Sequence, residues 1–274
     1  MRRRVLPGFG LSLGFTVAYL GLIVLLPLAA LAWKATDIGF AGILKLFASP
    51  RTLAALKLSF GGALLAAGIN VVAGLMVTWA LVRYRFPGRR ILDALIDLPF
   101  ALPTAVAGIA LTAIYAPNGW FGRLLVPLGI QVAYTPLGVL LAMVFVGFPF
   151  VVRTLQPVLQ SLEQDVEDAA ESLGATGPQT FLRVVLPTLV PTLLTGFALA
   201  LARAVGEYGS VIFIAGNIPL RSEIAPLLIV QRLDEFDYGG AAALGVVMLV
   251  FSLVLLMLVS ALQRGTRRWA EQPA

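Results

Sequence analysis

A chain of 274 residues that is 59% hydrophobic and only 12% charged does not have the surface of a soluble fold, since ordinary soluble domains carry about 25% charged residues. The absence of Cys and His removes disulfides, thiolate nucleophiles, imidazole bases and the usual zinc ligand sets. The net charge of +6 raises nucleic acid as a partner, but the placement of the cations described below reads as membrane orientation instead.

With a mean hydropathy of +0.93, lipid is the solvent that fits. About 20 apolar residues cross the hydrocarbon as a helix that bonds its own backbone. The fold class expected is therefore an all-α integral membrane protein. Six apolar runs are long enough to cross as helices, at about 11–33, 56–81, 91–115, 136–152, 188–215 and 239–262. The first begins behind Arg2, Arg3 and Arg4, and Ala30-Leu31-Ala32 resembles a signal cleavage site. Its apolar stretch exceeds the about 7–15 residues of a signal peptide, so it reads as a retained first helix. The organisation expected is an N-terminal segment with that helix over 1–55, a transmembrane domain over 56–262 with a polar loop at 160–187, and a tail over 263–274.

Six crossings put both termini on one side. That side carries Arg2, Arg3, Arg4, Arg83, Arg85, Arg89, Arg90, Arg153, Arg183, Arg264, Arg267 and Arg268, twelve cations. The other side has seven, Lys34, Lys45, Arg51, Lys57, Arg123, Arg221 and Arg232, while Arg203 lies inside a span. The basic excess marks the cytoplasm, so both ends are expected there.

The third run holds Asp97, Pro99, Pro103 and Thr104. Each proline removes a backbone donor and disturbs the preceding turn. The pair reads either as an ordinary kink or as an interruption that exposes helix ends along a path or gate.

Between the fourth and fifth runs, five of the fourteen acids (Glu163, Asp165, Glu167, Asp168, Glu171) fall within nine residues. Leu162, Val166, Ala169, Ala170 and Leu173 share one helical face among them. Gly174 suits a left-handed C-cap. Thr176 with Gln179 makes a capping box, and Pro178 fits the first turn of a second helix. This helix, turn, helix is either a docking element with a small-residue contact face or a helical linker.

In the fifth run Arg203 and Glu207 stand four residues apart on one face. They read as a mutual ion pair that fixes packing, or as an arginine that contributes positive potential to an anion path. Gly206 and Gly209 permit close approach. Before the sixth run, Asp234, Glu235 and Asp237 form either a solvated loop or a docking surface for an external binding protein.

The polar loop resembles the EAA loop of ABC importer permeases, which reads Glu-Ala-Ala, three residues, Gly, nine residues, then Ile-x-Leu-Pro. Here the chain runs Asp168-Ala169-Ala170, three residues, Gly174, nine residues, then Val184-Val185-Leu186-Pro187. Asp168 stands in place of Glu and Val184 in place of Ile. The resemblance implies a type I ABC importer permease fold, with residues 162–173 acting as a coupling helix in a groove of a separate ATPase subunit. Asp168, Ala169, Ala170, Gly174, Leu186 and Pro187 would then form the coupling element. Only Lys34, Lys45 and Lys57 exist and none lies in a P-loop. ATP and Mg would be bound by that partner, and this chain would have no cofactor, metal or catalytic residue of its own.

Further stretches, "RVLPGFG", "LVRYRFPGRR", "DLPFALPTAVAG", "YAPNGW", "PFVVRTLQPVL", "ARAVGEYGSVIFIAGNIP" and "RLDEFDYGGAA", are similar to the CysT-type permease of the sulfate/thiosulfate importer family. "GEYGSVIFIAGNIP" is shared with molybdate permeases, which leaves a molybdate/tungstate-type oxyanion as the alternative cargo. The resemblance implies a second homologous permease, two ATPase subunits, an extracytoplasmic sulfate/thiosulfate-binding protein and a location in the bacterial cytoplasmic (inner) membrane. Nucleic acid is not expected. An ion-coupled secondary transporter is the rival outside the class. An intramembrane enzyme would have only Asp97 and Glu207 as acid-base groups and no evident nucleophile. Because sulfate stays a dianion, a path is expected to rely on few formal charges and on neutral donors such as Thr104, Ser210 and Asn217.

Overall fold

The computed structural model describes residues 9–270, with side chains to residue 263. Arg2, Arg3 and Arg4, the tail beyond 270 and the side chains of Arg264, Arg267 and Arg268 lie outside the described residues. Among the described residues there are helices and no strand, as expected of a chain that must bond its own backbone in lipid.

The first crossing is built from α1 (Phe9–Leu20), a π turn at Gly21–Leu25 and α2 (Leu26–Ala35). The π turn sits directly before Leu26-Pro27. A proline ring collides with the carbonyl four residues back and offers it no N–H, and widening the preceding turn relieves both faults. A short 3₁₀ turn follows, and Gly39, at φ 63°, redirects the chain into α3 (Gly39–Ala48). α4 (Pro50–Arg83) then runs 34 residues.

The core is α4 packed on α9 (Pro136–Ser161) and α12 (Leu186–Val205). Lipid tails are as apolar as these helices, so association depends on close van der Waals contact between small residues. α4 buries Ala63, Ala66, Ala67 and Gly74, and α12 buries Gly196, Ala200 and Ala204. Val151 of α9 fills the space these glycines leave. A Cβ at Gly74 would stand 2.7 Å from its Cγ1, and one at Gly196 would stand 3.2 Å from its Cα.

The third apolar run corrects an expectation. Residues 91–115 do not form one crossing helix but three pieces, α5 (Arg89–Ile96), α6 (Leu98–Ala101) and α7 (Thr104–Tyr115). Pro103 is the cause of the second break, since a residue before proline is driven from the helical region; Leu102 is extended at φ −86°, ψ 136°. Among the described residues, five helical stretches are long and apolar enough to cross a membrane: Phe9–Ala48, Pro50–Arg83, Pro136–Ser161, Gly177–Val205 and Tyr238–Gln263. α7 alone, with 12 residues, extends about 18 Å.

The fifth run also differs from an unbroken helix. A second π turn, Phe181–Val185, precedes Leu186-Pro187 and leads from α11 (Gly177–Thr180) into α12. The chain then leaves helical geometry after Val205 and resumes only as α13 (Val211–Ile214). α8 (Gly122–Leu125), α10 (Gln164–Ser172), α14 (Ala225–Asp234) and α15 (Tyr238–Ala270) complete the fold.

Gly74→Ala is expected to lower the thermal unfolding midpoint in detergent, because overpacking costs about 1–3 kcal/mol. Gly61 has no atom within 4 Å of an added Cβ. Gly61→Ala should therefore hold or raise the midpoint through helix propensity.

Candidate functional site

Two interrupted helices meet in the structure. The start of α7 abuts the break between α12 and α13: a Cβ at Gly209 would stand 3.0 Å from Thr104 Cβ, and one at Gly108 would stand 2.8 Å from Ser210 Cα. Both glycines are required by this backbone approach. Gly206, expected to serve the same purpose, has open space around it.

Glu207 organises the break. It is 1% exposed and accepts hydrogen bonds from the backbone N–H and the Oγ of Ser210, both at 2.8 Å. Its other carboxylate oxygen pairs with Nη1 of Arg203. Peptide groups freed by the interruption are thereby bonded inside the protein, as helix breaks at membrane depth require. The pair is the mutual ion pair that sequence spacing allowed. Arg203 nevertheless keeps 31% of its side chain exposed, and its Nε and Nη2 make no hydrogen bond among the described residues. Thr104, Arg203, Glu207 and Ser210 are therefore one constellation, at the N-terminus of α7 where unpaired backbone N–H groups collect.

Asp97 and Pro99 belong elsewhere. Asp97 receives a two-pronged contact from Arg153 of α9, Nε to Oδ1 and Nη2 to Oδ2, each 2.7 Å. The same guanidinium donates to Asp93 Oδ1 and to the Asp93 carbonyl at 2.7 Å, and to Gln156. Phe100 packs edge-on against Phe150. Together these tie α5 and α6 to α9, and Pro99 lies in the first turn of α6. Asn217, at φ 49°, occupies the exposed turn after α13, with no contact that joins it to Thr104 or Ser210.

The turn and second helix of the polar loop fold as their local signals predict, but the first helix begins only at Gln164: Leu162, expected on its outer face, is extended at φ −74°, ψ 113° and packs half-buried against the core. α10 ends in a Schellman turn: Ala175 N–H bonds the Ala170 carbonyl at 3.1 Å and Gly174 N–H bonds that of Glu171 at 2.9 Å. Gly174 is left-handed at φ 88°. The Thr176/Gln179 capping box is formed and starts α11. No residue of α10 is buried, Val166 is exposed, and Leu173 is 90% exposed. An apolar helix face is thus presented outward, with Asp168 and Ala169 also exposed and Ala170 half-buried.

One acid of the island turns inward. Glu167 pairs with Arg83 at the end of α4. Arg83 also donates to the Leu162 carbonyl at 3.3 Å and lies 5.7 Å from the centre of the Trp79 ring. Trp79 in turn meets Phe181 of the π turn edge-on at 5.2 Å. α10 is thus joined to α4 by this pair and to α12 through the chain itself. Neither this pair nor the Arg153 cluster is visible in the sequence, because their partners lie 84 and 56 residues apart.

At the opposite end of α4, Arg51 grips buried Glu223 at 2.6 and 2.8 Å. Asp237 pairs with Arg232 and caps α15 through Gly240 N–H at 2.9 Å, while Glu235 accepts from Gln231 at 3.0 Å. Two members of the acidic cluster before α15 are thus engaged within the fold.

Residues 70–268 match the family described as binding-protein-dependent transport system inner membrane component. A probable sulfate transport system permease protein cysT of Nephroselmis olivacea is 51% identical, over 93% of this chain and 89% of that protein. The sulfate transport system permease protein CysT of Escherichia coli (strain K12) is 50% identical, over 95% and 94%. Among solved structures, a chain of a bacterial ABC transporter for import of the acidic polysaccharide alginate superposes with a TM-score of 0.75 at 17% identity, covering 94% of this chain and 96% of that one. A chain of the MetNI methionine ABC transporter in inward-facing form gives 0.54 at 19% identity, covering 77% and 92%. At such identities these two likenesses establish the fold alone.

Glu207→Leu is expected to destabilise the protein by about 3 kcal/mol, because it strands Arg203 and both Ser210 donors. Arg203→Gln is also expected to destabilise, because it leaves the buried Glu207 carboxylate without its counter-charge, whereas Ser210→Ala should cost less, since the Ser210 backbone N–H and Arg203 still bond Glu207. Thermal unfolding of the three variants checks the order; a loss for Ser210→Ala as large as that for Glu207→Leu would overturn it.

Proposed function

The chain belongs to the family of binding-protein-dependent transport system inner membrane components, and on that premise we propose that it is the permease subunit of an ATP-driven importer that carries sulfate and thiosulfate across the cytoplasmic membrane. The observation that carries this reading is the identity of about half of all positions, along nearly the whole chain, with proteins named as sulfate transport permeases.

The subunit works with ATPase subunits that bind and hydrolyse ATP, and the exposed face of α10 is the surface they engage. A second homologous permease and an external sulfate-binding protein complete the assembly. ATP binding draws the α10 helices of the two permeases together. The load passes to α4 through Glu167 and Arg83 and to α12 through the Phe181–Val185 turn, and the membrane cavity alternates between its two openings.

The constellation at the paired breaks supports a place for the anion. Thr104 and the first amides of α7 are neutral donors, and Arg203 is compensated by Glu207. A dianion is held there by hydrogen bonds against a nearly neutral background, so release is not opposed by a large fixed positive charge. Asp97 and Pro99 serve a neighbouring gate held by the Arg153 anchor, and Pro103 sets the break at which α7 begins.

Labelled sulfate uptake into vesicles that hold the permeases, the ATPase and the binding protein tests the assignment. ATP-dependent uptake suppressed by excess thiosulfate and little affected by molybdate is expected. Strong competition by molybdate would keep the architecture and overturn the cargo, and uptake indifferent to ATP would overturn the class. In the same assay Leu173→Asp is expected to lower uptake at least ten-fold (~1.4 kcal/mol) by breaking the α10 contact, without changing the thermal stability of the permease.

A further inference from the structure

α14, like α10, ends in a Schellman turn, but a different kind of residue fills its left-handed position. Phe236 N–H bonds the Leu233 carbonyl at 3.0 Å, and Asp237 N–H bonds that of Arg232 at 2.8 Å. Phe236 therefore stands where α10 has Gly174, at φ 61°. Glycine adopts that conformation freely, whereas a side chain with a Cβ strains it. The fold gains little in return. Phe236 is 76% exposed, and its ring meets edge-on, at 6.4 Å, that of Tyr238, which is itself exposed.

The turn holds this ring in place. Arg232 and Asp237 form an ion pair across it, and the other Asp237 oxygen caps α15 through Gly240 N–H at 2.9 Å. Gly239 lets the start of α15 lie against Ile38, since a Cβ there would stand 2.6 Å from Ile38 Cγ2. A large apolar side chain is thus displayed from a fixed and strained position, the combination expected of a residue kept for contact with another molecule.

The surroundings favour a protein over lipid. Tyr238 opens the stretch of α15 apolar enough to cross a membrane, and Phe236 lies beyond it. Asp234 and Glu235, both exposed, immediately precede Phe236, and acids are repelled by anionic headgroups. Arg51 at the start of α4 bonds Glu223 and Gln231, whereas α10 is held at the other end of α4 by Arg83 and Glu167. The turn therefore lies on the side opposite the surface assigned to the ATPase.

We propose that Phe236, with exposed Leu233 and Tyr238 beside it, is the knob on which the external binding protein docks, entering an apolar pocket with a basic rim that matches Asp234 and Glu235. This role rests on the assembly proposed above, in which such a protein delivers the anion.

Binding of purified sulfate-binding protein to the assembled transporter in lipid nanodiscs, followed by surface plasmon resonance, provides the test. Phe236→Gly is expected to weaken binding about ten-fold or more while the thermal unfolding midpoint of the transporter holds or rises, and Phe236→Tyr should retain binding. Unchanged binding by Phe236→Gly, or a loss of binding matched by a lower midpoint, would overturn the proposal. With photoreactive p-benzoylphenylalanine in place of Phe236, illumination should link this chain to the binding protein; linkage to the second permease or to lipid instead would overturn the assignment. Binding should weaken as salt rises, and indifference to salt would overturn the basic rim. A wild-type transporter that fails to bind the protein at all would overturn the assembly itself, an outcome distinct from wild-type binding that ignores Phe236.

Discussion

A peptide group without a partner costs several kcal/mol in hydrocarbon, and the architecture of this chain follows from where it meets that constraint. Most of the backbone does so with unbroken helix. Where prolines or sharp turns remove bonds, other protein groups replace them. Glu207 bonds Ser210 at the break after α12, and α7 packs over the same place through Gly108. Two prolines near the start of long helices are accommodated by π turns. Interruption and close packing therefore occur together, because only a neighbouring helix at backbone distance shields such a site from lipid.

Contacts local in sequence were legible before the structure was known. Gly174, the Thr176/Gln179 box and Pro178 act within a few residues of one another, so their chemistry reads directly from spacing. Pro99 and Pro103 signalled an interruption for the same reason, although the run containing them also satisfied the length of a crossing helix. Hydropathy counts apolar residues and is blind to the extended Leu102 that divides them. The break after Val205 was harder, since Gly206 and Gly209 are compatible with a helix and only the approach of α7 decides the matter.

Long-range partners explain the rest. Asp97 has the same spacing from Pro99 whether it faces a path or an arginine, and only the fold brings up Arg153, which sequence counting used as a marker of orientation, to take both carboxylate oxygens. Glu167 was one of five acids on a polar island until the fold set Arg83 against it. The acids left outside and exposed Leu173 make up the outward face of α10. The inward acid describes how that surface is fastened to the membrane helices.

The π turn at Phe181–Val185 has a bearing on how the neighbouring residues are compared. It accommodates one residue more than an α turn, so every side chain beyond it is rotated by about 100° relative to a continuous α-helix. A helical wheel drawn from Gln179 into α12 assigns the wrong faces to Leu189, Leu193 and Ala200, all of which are buried. Removing a single residue within 181–185 would swing those side chains away from α4 and α9 while leaving composition and hydropathy almost unchanged. Chain length in this turn therefore acts as a phase marker for the whole of α12, and an alignment of relatives that places a gap there misorients the helix as well as shortening it.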